Sequence, residues 1–109
     1  MKVNTNIKNR TYRQGDVILV PCASIPDGLK QTKRVTLALG EVTGHHHTIH
    51  TGATGYAADA KALAEYVEVT AASADLTHQE HSTIGVPTGT YKVIQQVEYT
   101  PAELRNVRD

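Results

Sequence analysis

Turn-forming residues recur along this chain at intervals of roughly ten, and the runs between them are short and rich in β-branched residues. Val17-Ile18-Leu19-Val20 reads as a buried strand closed by Pro21. Ile25-Pro26-Asp27-Gly28 reads as a turn, and Lys33 to Leu39 alternates as a second strand ended by Gly40. Further strands are expected over His45–Thr51, Thr54–Ala57, Tyr66–Thr70, Ala74–His78, His81–Val86 and Thr90–Tyr99, with Pro87-Thr88-Gly89 as a turn. Ala58–Ala64 is ambiguous, because alternating alanines with Lys61 would also support two turns of helix. Thr100-Pro101-Ala102-Glu103 carries the start signal of a short C-terminal helix. The expected fold class is all-β, a small barrel or sandwich of about seven to nine short strands.

Length and composition narrow the functional classes. The chain has 109 residues, of which 39 % are hydrophobic, and it contains no Phe or Trp. A core of Val, Ile, Leu, Ala and Tyr is thin at this size, so support from a metal ion or from partner subunits in a homo-oligomer is expected. Eleven basic residues balance eleven acidic ones, which speaks against nucleic acid as a partner. The charges are nevertheless sorted. Residues 1–34 hold seven basic and two acidic groups, a net of +5, and the remainder is −5. Residues 1–10, polar and Asn-rich, read as a flexible or partner-docked arm ahead of one metal-binding β domain over 11–109. A single cysteine, Cys22, excludes an internal disulfide and a cysteine-built zinc cluster. No apolar run suits a membrane span or a signal peptide, and the expected location is cytoplasmic.

The six histidines carry the chemistry. His45, His46, His47 and His50 lie in one stretch, His78 and His81 in another. On a strand alternate residues share a face, so His45 and His47 point together with Cα atoms roughly 6.5–7 Å apart. Two imidazoles so placed can converge on one divalent cation, Zn first, with Fe, Mn or Ni as alternatives. His46 and His50 fall on the opposite face. Leu76-Thr77-His78-Gln79-Glu80-His81 adds two imidazoles and a carboxylate; regular alternation would separate His78 from His81, so a turn or bulge is expected there. The expected ligands are His45, His47, His78 and His81, with Glu80 and Glu41 as candidate proton carriers. Such a site suits metal-assisted hydrolase, lyase or isomerase chemistry on a small polar ligand. The competing class is a non-catalytic protein in which the histidines staple the core or an interface. A cluster that titrates near pH 6.5, or contacts phosphate when protonated, is a third possibility. Asp16 reads as a turn residue.

Two resemblances attach to these residues. Gly40, His45, His47 and the Pro87-Thr88-Gly89 turn ahead of a long strand resemble the cupin pattern of small metal-binding β-barrels, although both later histidines precede that turn. The likeness implies a barrel with a metal inside. The strings Arg13-Gln14-Gly15-Asp16-Val17, Gly40 through His47, Leu76 through His81 and Gln96-Val97-Glu98-Tyr99 resemble a family of short uncharacterised proteins of phage and bacterial genomes. That likeness implies a phage or prophage setting, with virion proteins among the partners and no activity to carry over.

Overall fold

A computed structural model describes residues 10–39 and 44–96. Eight strands form: β1 (Tyr12–Gln14), β2 (Val17–Pro21), β3 (Lys30–Gln31), β4 (Val35–Leu39), β5 (His46–Ile49), β6 (Ala53–Ala57), β7 (Tyr66–Thr77) and β8 (Ile84–Gln95). Among the described residues there is no helix. The strands run in the order β1-β2-β8-β7-β5-β4, with β6 beside the first half of β7 and β3 beside β6. All pairings are antiparallel, and the sheet curls into a half-barrel. The all-β expectation therefore holds. Residues 1–9 of the arm expected over 1–10, Gly40, Glu41 and the expected C-terminal helix lie outside the described residues.

Alternation explains most of the core. Val17 and Leu19 are fully buried on β2, as are Val67 and Val69 on β7. Beyond Val69 the buried positions change parity to Ala74 and Leu76. The change is made by an irregularity between Val69 and Ser73, where the register against β8 shifts from Gly89 to Pro87. A slip of one residue would otherwise turn the second half of the strand inside out. Tyr91, opposite Val67, lies edge-on to Tyr12 with ring centres 6.1 Å apart. Its hydroxyl donates to the Pro87 carbonyl at 2.8 Å, and burial, then Tyr12, pushes its pKa up to about 12.

Two local expectations are corrected. Pro87-Thr88-Gly89 is not a turn but the middle of β8. Proline is tolerated there because β2 pairs with β8 only over Tyr91–Gln95, leaving the earlier half an edge among the described residues. The stretch Tyr66–Thr77 is one strand where two were expected. The ambiguous Ala58–Ala64 stretch resolves as a loop. Its backbone bonds go elsewhere: Ala64 N–H donates to the Thr36 carbonyl, Lys33 N–H to the Ala60 carbonyl, and Lys61 N–H to the Asp59 carboxylate. These bonds override the helix propensity of the alanines.

Candidate metal centre

The β1–β2 hairpin turns on Gly15 and Asp16 alone, joining Gln14 opposite Val17. Gly15 has φ +60, the conformation that a two-residue hairpin turn with glycine in first position requires. The turn sets two side chains beside β5. Gln14, 3 % exposed, donates from Nε2 to the carbonyls of Leu76 (2.8 Å) and Ser82 (2.9 Å). Its amide is thereby fixed, and Oε1 can only accept. The partner of Oε1 is His47 Nδ1 at 2.8 Å, so Nδ1 carries the proton and the neutral ring presents a bare Nε2 lone pair.

That lone pair faces another acceptor. Asp16 Oδ1 stands 3.5 Å from His47 Nε2, while Asp16 Oδ2 is held by Gln95 Nε2 at 2.9 Å. Two acceptors in that relation need a proton or a cation between them. His47 is 1 % exposed, and burial, reinforced by His78, lowers its pKa against the opposing pull of Asp16. The proton is therefore disfavoured by the site itself.

The second histidine stretch meets this pair. Residues 78–83, between β7 and β8, leave the strand conformation, which is the break expected between His78 and His81. The ring centres of His47 and His78 are 4.4 Å apart, those of His78 and His81 4.6 Å, and those of His47 and His81 5.8 Å. Imidazoles sharing one zinc ion at tetrahedral angles have ring centres about 5 Å apart, and donor atoms about 3.4 Å apart. The 3.5 Å between His47 and Asp16 matches the second figure. His45 reaches the cluster through His78, edge-on at 5.6 Å. Glu80, with a side chain 64 % exposed, lies 3.8 Å from His45 Nδ1. Burial, then the charge of His81 and His45, lowers the pKa of His78.

The cluster is not a closed ligand shell. Among the described residues no three His, Cys, Asp or Glu side chains stand ready around one point in metal-binding geometry. One reason is visible: His78 Nδ1 accepts the Glu80 N–H at 3.0 Å, so its ring must turn before that nitrogen can ligate. The other expected residues divide plainly. Glu41 lies outside the described residues. His46 and His50 fall on the opposite face, as alternation required, and line a separate groove. The Cys22 thiol donates to the Ser24 carbonyl. Asp16 and Gln14 are additions that the histidine spacing did not indicate, since Gln14 lies 33 positions from His47.

A family described as a domain of unknown function (DUF8820) matches residues 13–96, which takes in every residue of the cluster. No curated protein and no solved structure matches the chain. The cupin likeness gains nothing from these comparisons, and its turn at Pro87 is a strand.

Proposed function

The chain belongs to the DUF8820 family, and on the chemistry of its histidine cluster we propose that it is a metal-binding domain holding one divalent transition-metal ion. The observation that carries this reading is the bare His47 Nε2 facing the Asp16 carboxylate at 3.5 Å, with the His47 tautomer set by a fully bonded Gln14. His47, His78, His81 and Asp16 are the proposed ligands, and Gln14 orients the first of them. His45 and Glu80 border the site. Three imidazoles and a carboxylate suit zinc, and four protein ligands leave no coordination position for substrate. The ion would then act as a staple between the β1–β2 turn, β5 and the β7–β8 loop, compensating for a core without Phe or Trp.

A catalytic reading rests on a separate observation, the exposure of Glu80 beside the cluster. If one imidazole stayed unbound, water could take its place and Glu80 could carry a proton in hydrolase, lyase or isomerase chemistry. The structural reading is preferred because three imidazoles and the Asp16 carboxylate would fill a tetrahedral shell.

The test is elemental analysis and zinc titration of untagged protein, with His47→Ala and His81→Ala as variants. One bound ion per wild-type chain, lost in both variants, supports the site. Equal metal in wild type and variants retires it. Unfolding after chelation favours the staple; an unchanged melting temperature favours the catalytic reading.

A further inference from the structure

The face of β5 opposite His47 forms one wall of a groove of about 640 Å³ between the β4–β5 hairpin and the β3–β6 pair. That volume is in the range of small-molecule sites. Its lining includes Lys33, Arg34, Thr36, His46, Thr48 and His50, and among the described residues no Asp or Glu. A second hollow of about 340 Å³ shares Lys33, Arg34 and Thr36 and adds Lys61. Neither Lys33 nor Arg34 pairs with a carboxylate among the described residues.

A chain of hydrogen bonds runs behind this wall. Gln79 Oε1 accepts the His46 backbone N–H at 2.8 Å, which turns Gln79 Nε2 toward His46 Nε2 at 3.5 Å. His46 Nε2 is then an acceptor, and its proton sits on Nδ1. Nδ1 donates to Thr48 Oγ1 at 2.6 Å. Thr48 Oγ1 and Thr36 Oγ1 share a hydrogen bond of 3.1 Å that either hydroxyl can donate. The Thr36 hydroxyl stands at the groove end of this chain. Arg34 and Lys33, whose charged ends are donors only, line the same groove.

We propose that this groove is a binding site for the oxyanion group, phosphate or carboxylate, of a small molecule, with Arg34 and Lys33 balancing its charge and the Thr36 hydroxyl donating to it. A groove lined by two cations and by threonine hydroxyls, with no carboxylate among the described residues, is complementary to such a group, and Arg34 can offer two parallel N–H bonds. Close approach of the wall depends on Gly55, where a β-carbon would lie 2.5 Å from Thr32 Oγ1. The proposal is independent of the metal site on the other face.

Calorimetric titration of the protein as purified with pyrophosphate, and separately with citrate, tests it at low and physiological salt. Saturable binding is expected, with Arg34→Gln and Thr36→Val each weakening it about tenfold, the loss of one charge-assisted hydrogen bond. Thermal melts check that both variants fold. Tighter pyrophosphate than citrate identifies the group as phosphate, and the reverse as carboxylate. Two results overturn the site: no binding of either probe, or binding unchanged in both variants, which would place the anion elsewhere.

Discussion

The imidazole of His81 lies across Gly15 so closely that a β-carbon on residue 15 would come within 2.7 Å of Nε2. Glycine is thus required twice at one position, by φ +60 and by the ring above it. Gly15→Ala should destabilise the fold by about 1–2 kcal/mol through backbone strain alone. It should also displace His81 and weaken zinc binding. Urea denaturation and a zinc titration measure the two effects; an alanine variant with wild-type affinity would show that His81 is not a ligand.

Gln14 tests how the site is held together. Gln14→Leu leaves His47 Nδ1 and the carbonyls of Leu76 and Ser82 without their partner. Each unsatisfied buried group costs about 1–3 kcal/mol, so marked destabilisation is expected. Gln14→Glu keeps an acceptor for Nδ1 but loses the donors. It should retain measurable zinc binding where Gln14→Leu loses about 10- to 100-fold. If both variants bind zinc as wild type does, Gln14 has no orienting role.

Asp16→Asn removes the charge facing His47 while keeping the side chain's size. Zinc affinity should fall by at least about tenfold, as for loss of one charged ligand. In metal-free protein the same change should lower the His47 pKa further, because Asp16 is the group that raises it. NMR titration of the ring protons reads the second effect directly, and a His47 pKa that rises would contradict the described geometry.

The pH dependence of the metal-free fold has a definite sign. His47 and His78 both have pKa values lowered in the folded chain, burial being the largest cause for each. Their contribution is complete above the ordinary imidazole value near 6.5 and is lost as pH falls from there through the lowered folded values. Urea denaturation in chelator at pH 8, 7, 6 and 5 should show stability falling below pH 7. His47→Gln should flatten part of that slope. A wild-type profile level from pH 8 to 5 would be inconsistent with burial of a neutral His47.

How much of this was legible in the sequence depended on whether a local pattern carried it. Val17–Val20 is a short apolar run rich in β-branched residues, and β2 formed where expected. The convergence of His47 with His78 and His81 was legible too, because a stretch without apolar residues would not hold a regular strand through 78–83. The long β7–β8 hairpin was not. Ala71-Ala72-Ser73 and Pro87-Thr88-Gly89 look like breaks, whereas pairing absorbs them into a register shift. Asp16 looked like turn chemistry and is that, but the turn also aims its carboxylate at His47. Nothing local links Gln14 to a ring 33 positions away; the partnership exists only once β1 folds beside β5.

The leading half of β8 has a consequence beyond its own pairing. From Ile84 to Thr90 that strand has β7 on one side and, among the described residues, no strand on the other. A bare margin of this kind invites a second molecule to add itself as a further strand. Pro87, lacking an amide hydrogen, interrupts any such ladder, and the positive φ of Gly89 bends the run a second time. The residues that disguised this strand as a turn therefore also discourage it from seeding fibrils.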